Sequence, residues 1–221
     1  HQLTRRQRQM CIRDRLYSNK TKPWNILAVT FTNKAAKEMR IRLESLIGPS
    51  ANSVWLGTFH SIAARILREN SEVVGLNSNY TIITPDDQIR LLKQIMIDQD
   101  IDIKKFTPKA MSILISSWKD KGFKPDDINK SDNDFFANGK AINIYKTYQS
   151  RLVTLNSTDF GDLLLYNLII FTEHSDILQK YQSKILFFLV DEYQDTNTIQ
   201  YLWLKLFANK TQNICCVGDD D

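Results

Sequence analysis

Apolar positions along the chain follow two different periods, and the pattern changes near residue 84. Ile26–Thr30 is a short apolar run with β-branched members, which predicts a buried strand. Over Asn33–Ile47, residues Ala35, Ala36, Met39, Leu43, Leu46 and Ile47 recur at helical spacing. Thr32 stands where an N-cap belongs, and Gly48-Pro49 ends the pattern. Val54–Gly57 predicts a second strand, and Thr58–Glu69 a helix that turns Phe59, Ile62, Ala63, Ile66 and Leu67 inward. Thr81–Ile83 is a third strand candidate. Strands that alternate with helices imply a parallel α/β sheet.

At Thr84-Pro85-Asp86-Asp87 a capping Thr, a Pro at the first helical position and two acids in the first turn open a helix. Helical patterns then run without a break: Thr107-Pro108 opens one, Tyr145, Tyr148 and Leu152 mark the next, and Phe160, Leu163, Leu164 and Leu168 another. Strand character resumes at Ile185–Val190 and at Ile214–Val217. The reading is an α/β domain over 23–84 and 185–221, interrupted by an all-helical domain over 85–184. Trp55, Trp118 and Trp203 are expected to be packing residues. Lys119–Lys124 is expected to be a solvated turn around Gly122, and Asp86-Asp87 a helix start and not a metal site.

Composition adds limits. With 43% apolar and 24% charged residues, the chain falls outside the disordered and fibrous classes. No apolar run is long enough to suggest a membrane span. Cys11, Cys215 and Cys216 form no paired framework, which fits a reducing, cytoplasmic setting. The net charge of +4 comes from one end. Residues 1–22 carry seven Lys/Arg against Asp14 alone, which leaves 22 basic and 24 acidic residues in 23–221. That first segment lacks an apolar period and is expected to be a non-native or disordered basic stretch. Any nucleic-acid contact elsewhere must come from placed residues and not from a basic field.

The chemistry concentrates in Leu189-Val190-Asp191-Glu192-Tyr193-Gln194-Asp195. An apolar strand that ends in two adjacent acids is the Walker B arrangement of P-loop NTPases. Its first acid, Asp191, would hold Mg²⁺, largely through water, because this ion takes hard oxygen ligands and keeps several waters. The second, Glu192, can accept a proton from water as a general base. At the end of the first strand, Phe31 could present its ring to a base, a contact worth about 1–3 kcal/mol. Thr30, Thr32 and Asn33 offer neutral donors to a phosphate beside a helix N-terminus. The plainer alternative makes Phe31 a core residue and Thr32 only a cap. Thr58, Phe59 and His60 form a second such cluster. His1, His60 and His174 have no metal-ligand spacing.

Together these strings resemble the UvrD/PcrA/Rep group of superfamily-one DNA helicases. Asp191 to Asn197, DEYQDTN, is similar to helicase motif II, and Val217-Gly218-Asp219-Asp220-Asp221 to the opening of motif III. Thr30 to Met39 is similar to motif Ia, and Gly57-Thr58-Phe59-His60-Ser61 to motif Ib. Asp159-Phe160-Gly161-Asp162-Leu163-Leu164 resembles the Asp-Phe-Asp-Asp-Leu segment of the family, with Gly161 in place of an Asp.

The resemblance implies a RecA-like parallel sheet with an inserted all-helical domain, and ATP and Mg²⁺ as cofactors. It implies catalytic roles for Glu192, Asp191 and Gln194, and nucleotide contacts at Asp191, Gly218 and Asp219. Thr30, Phe31, Thr32, Asn33, Thr58, Phe59 and His60 would face DNA. The partners would be single-stranded DNA and duplex junctions, with translocation 3′ to 5′. No Gly-x-x-x-x-Gly-Lys-Ser/Thr string occurs in the 221 residues, so this stretch reads as a fragment, inactive by itself. Two other readings remain open: the motor of a RecB/AddA-type helicase-nuclease, and a non-catalytic DNA-binding paralogue.

Overall fold

The computed structural model describes residues 21–129 and 136–218. Among the described residues the chain forms two compact units, the first comprising residues 21–65, 171–196 and 200–218, and the second 66–129, 136–170 and 197–199. The basic stretch over 1–20 lies outside the described residues.

The first unit is built on a parallel sheet. Strand β1, Ile26–Thr30, is buried at every position, as its apolar run requires of an interior parallel strand. It pairs with β2, Trp55–Thr58, and with β5, Phe187–Asp191, which pairs in turn with β6, Ile214–Val217. The order is β2-β1-β5-β6, all parallel. On one face Ile26, Ala28, Leu56 and Leu189 pack with Met39 and Leu43 of helix α1, Asn33–Ile47. The Thr32 hydroxyl caps α1 by accepting from the Ala35 N–H at 3.1 Å, and Gly48 ends it at φ 62°.

The other face carries aromatic rings. Phe188 meets Phe207 at 5.9 Å between ring centroids, and Trp55 meets Tyr181 at 6.2 Å. Trp203 and Phe207, both in helix α8 (Thr198–Ala208), lie 4.6 Å apart. Tyr181 comes from helix α7, Ser175–Lys184. Offset and edge-on contacts of this kind favour ring quadrupoles as well as apolar burial.

Among the described residues the second unit is helical apart from one short strand pair. Its core joins Leu92, Ile95 and Met96 of α3 (Pro85–Asp98), Met111, Ile115 and Trp118 of α4 (Pro108–Asp120), and Ile144, Tyr145, Tyr148 and Leu152 of α5 (Ala141–Thr154). Thr84 and Thr107 cap α3 and α4 as their Thr-Pro starts suggest. Thr81–Ile82 forms β3 but stays out of the main sheet, pairing in parallel with β4, Ser157–Thr158. Helix α6 (Phe160–Glu173) follows β4, while α2 (Phe59–Glu69) follows β2.

The solvated turn expected over Lys119–Lys124 is also overturned in part. Gly122, at φ 82°, does make the turn after α4, but Lys119 is not solvated. It is 1% exposed, with its ammonium 2.7 Å from Asp159 and 2.6 Å from Asp162. Its charge finds two carboxylates far along the chain, a partnership that local pattern does not show.

Candidate functional site

The carboxyl edge of the parallel sheet collects the polar groups. Ala28 is in register with Leu56 on one side and Leu189 on the other. Side chains alternate along a strand, so the next residues facing that way are Thr30, Thr58 and Asp191. Three strands therefore end with oxygen-bearing side chains in a row. The register carries this arrangement on, with Thr30 beside Thr58 and Asp191 beside Val217.

Asp191 is 1% exposed. Its Oδ1 takes no hydrogen bond from the described residues, although the residue is held by other interactions. The chain then turns sharply. Glu192 takes the left-handed conformation at φ 54° and ψ 46°, which costs a non-glycine residue about 1–2 kcal/mol. The 3₁₀ turn Tyr193–Asp195 follows, closed by the Asp195 N–H donating to the Glu192 carbonyl at 3.0 Å. The strain directs consecutive acids differently: Asp191 stays in the sheet while Glu192 is only partly buried.

Gln194 turns back to donate from Nε2 to Glu192 Oε2 at 3.0 Å. Gly218, one residue past β6, lies against Gln194; a Cβ there would come 2.6 Å from its Oε1. The sequence thus supplies a carboxylate, an amide that holds it, and a glycine that leaves the amide room. Asp219, the remaining nucleotide candidate, lies outside the described residues.

The DNA candidates separate by burial. Thr32 and Asn33 are exposed at the α1 N-terminus, and Phe31 is partly exposed. Phe59 is 1% exposed, with its ring 5.5 Å from that of Phe31 and 6.1 Å from Trp203. Its place is beneath Phe31. The Thr58 hydroxyl accepts from the Ser61 N–H at 3.2 Å, and the Ser61 hydroxyl returns a bond to the Thr58 carbonyl at 2.9 Å, which fixes the start of α2. Thr30 is fully buried and its hydroxyl has no hydrogen-bond partner among the described residues. Burial lowers the His60 pKa below its ordinary 6.5, so its imidazole is neutral near pH 7.

Sequence reasoning missed one constellation, in the helical unit. Asp159 and Asp162 exchange bonds across the first turn of α6: the Asp162 N–H donates to Asp159 Oδ1 at 2.9 Å, and the Asp159 N–H to Asp162 Oδ2 at 3.1 Å. This is a capping box made with two acids. Tyr148 donates to Asp159 at 2.8 Å, Gln88 donates to it at 3.2 Å, and Gln149 donates to Asp162 at 2.9 Å. The Lys119 ammonium holds Asp159 below the usual carboxylate range, against the desolvation that opposes it. Burial and the Asp159 charge push Asp162 up to about 6. The i, i+3 acids ahead of an apolar run were the visible signal; their lysine was not.

Residues 12–221 match the family described as UvrD/REP helicase N-terminal domain. The chain is 51% identical over 208 residues to a protein of Rickettsia conorii named "Probable DNA helicase II homolog", covering 93% of this chain and 32% of that protein. It is 44% identical to an "ATP-dependent DNA helicase PcrA" of Staphylococcus epidermidis and 41% identical to one of Bacillus subtilis, each over 90% of this chain and 27% of the relative. The chain thus spans about a third or less of the length of these relatives.

Proposed function

The chain belongs to the UvrD/REP helicase N-terminal domain family, and we propose that it is part of an ATP-dependent DNA helicase that moves 3′ to 5′ on single-stranded DNA. The observation that carries this reading is the end of β5. There a buried Asp191 is followed by a Glu192 in left-handed conformation, steadied by Gln194. The parallel order β2-β1-β5-β6, with its acids at the carboxyl end of an interior strand, supports a RecA-like motor domain. The helical unit, whose residues fall between segments of the first in sequence, would be the insertion.

The residues fit a magnesium–nucleotide complex. Asp191 offers hard carboxylate oxygen at a buried strand end, with the idle Thr30 hydroxyl one strand away. Mg²⁺ bound there would neutralise charge developing on the phosphates. Glu192, only partly buried, takes a proton from water. Gln194 fixes the direction of that carboxylate, and Gly218, having no side chain, leaves Gln194 the room to do so.

Phe31 supplies the stacking surface for DNA and Phe59 supports it from below. Thr32 and Asn33 present donors at the α1 N-terminus, and a neutral His60 can donate a single hydrogen bond to a phosphate. Among the described residues no helix is long and apolar enough to cross a membrane.

The full-length protein should hydrolyse ATP in response to single-stranded DNA and unwind duplexes with a 3′ tail. Preference for a 5′ tail would overturn the direction. DNA binding without any ATP turnover would favour the non-catalytic paralogue. The 221-residue stretch by itself contains no phosphate-loop string and should not turn over ATP above a Glu192→Ala control.

A further inference from the structure

Thr30 is at odds with its surroundings. It closes a strand whose other members are Ile, Leu, Ala and Val, it is fully buried, and its hydroxyl has no hydrogen-bond partner among the described residues. A buried, unsatisfied hydroxyl destabilises a fold, and Val has the same shape and an equal preference for strands. The fold therefore does not require the hydroxyl. Helix capping does not use it either, since Thr32 caps α1 and Thr58 holds the start of α2. A DNA phosphate would reach Thr32 and Asn33, which are exposed, before it reached Thr30.

One neighbour gives the hydroxyl a use. The β1–β5 ladder runs from Ile26 beside Phe187 to Val29 beside Val190, so the next step brings Thr30 beside Asp191. Paired residues of parallel strands project to the same face. The hydroxyl does not bond the carboxylate directly. Neighbouring strands lie about 4.8 Å apart, a spacing that one water can bridge.

We propose that Thr30 is a positioning residue for the metal-binding carboxylate, its hydroxyl fixing a water held between itself and Asp191 in the coordination shell of Mg²⁺. This rests on the assignment of Asp191 as the metal's carboxylate. Outer-shell partners of this kind orient a ligand and the waters of a hydrated cation, and Mg²⁺ keeps most of its waters. The same strand end then serves two ligands: Thr30 faces the nucleotide while Phe31, Thr32 and Asn33 face the nucleic acid.

The test uses the full-length protein and the Mg²⁺ dependence of binding a fluorescent, N-methylanthraniloyl-labelled ATP analogue, with no turnover required. In Thr30→Val the Mg²⁺ concentration for half-maximal binding should rise about 10-fold, the low end for lost outer-shell partners. Thr30→Ser should restore it, and thermal stability should not fall in Thr30→Val. Affinity for an oligothymidine strand without nucleotide should stay within about two-fold of wild type, since stacking and phosphate contacts are made elsewhere. An unchanged Mg²⁺ dependence in Thr30→Val overturns the proposal, as does weakened oligothymidine binding with normal Mg²⁺ dependence. If Val at this position prevents folding, Thr30→Ala against Thr30→Ser makes the same comparison. Asp191→Asn separates the two levels: if it too leaves the Mg²⁺ dependence unchanged, the metal assignment itself has failed.

Discussion

Gly161 lies so close to Lys119 that a Cβ built on it would come 2.9 Å from the lysine's Cδ and 3.3 Å from its Cβ. The lysine stem passes over the first turn of α6 and sets its ammonium between Asp159 and Asp162. Where the family pattern has a third acid, this chain has a residue without a side chain. The substitution fits the packing: an Asp at 161 would add bulk against a stem that is buried and pinned at its charged end.

Gly161→Ala therefore sets two effects against each other. Ala gains up to about 1 kcal/mol of helix propensity over Gly. Overpacking a buried side chain that cannot swing away costs about 1–3 kcal/mol. The clash should win, lowering the urea midpoint without changing the slope. A midpoint raised by the full helix-propensity gain would show that Lys119 moves freely.

The buried triad also sets a pH dependence. Asp162, pushed up to about 6, binds a proton in the folded state that the unfolded chain releases near 3.8. Stability from this group is greatest near pH 4, falls as pH rises to about 6, and is flat above, with an upper bound of about 3 kcal/mol. Asp159, held below its usual range, acts in the opposite sense and loses its contribution only as pH falls below about 4. The facing tyrosines, Tyr145, Tyr148 and Tyr166, stay neutral across that window, since burial and the acids raise them further. Melting curves of Asp162→Asn and wild type should thus differ in slope between pH 4 and 6 and run parallel above. Parallel curves throughout would place the proton elsewhere.

Much of this architecture could be read from local pattern because its causes are local. Thr32, Thr84 and Thr107 cap the helices their positions announce, since each bond spans three residues. β1 reads as interior because a strand whose first four members are all apolar needs cover on both faces. β3 was visible as a strand, but its partner was not: Ser157–Thr158 is too short to show a period, and its pairing spans the whole helical core. The same limit hid Lys119, whose carboxylates lie 40 and 43 positions away. At the site, DEYQDTN announced the acids but not the left-handed Glu192, which is a property of the turn and not of the residue type.

Phe31 and Phe59 touch edge to face but should behave differently when truncated. Phe31→Ala should weaken binding of single-stranded DNA by about 1–3 kcal/mol with little change in salt slope. Phe59→Ala removes a ring that is buried against Trp203 and should cost about 3–5 kcal/mol of stability. Fluorescence anisotropy and thermal melting on both variants separate the two effects. If Phe31→Ala collapses the melting transition instead, its ring is core and the stacking role is lost.

The last expectation concerns the two acids and the amide that orients one of them. In the full-length protein, Glu192→Gln keeps the shape of the side chain but cannot take a proton from water. Nucleotide and Mg²⁺ binding should survive, because Asp191 remains. Hydrolysis should fall about 10²-fold or more, the low end of what a placed base contributes. Asp191→Asn should instead weaken Mg²⁺-dependent nucleotide binding along with turnover. Gln194→Ala removes the 3.0 Å bond to Glu192 but leaves both carboxylates, so it should lower kcat by less than Glu192→Gln while leaving KM nearly unchanged. Combining Gln194→Ala with Glu192→Gln decides whether the amide acts through the base. If it does, the double variant is no slower than Glu192→Gln alone, since a carboxylate that is gone cannot be misdirected. Additive losses would assign Gln194 a contact of its own, with nucleotide or water, and near-normal hydrolysis in Glu192→Gln would remove the base from Glu192 altogether.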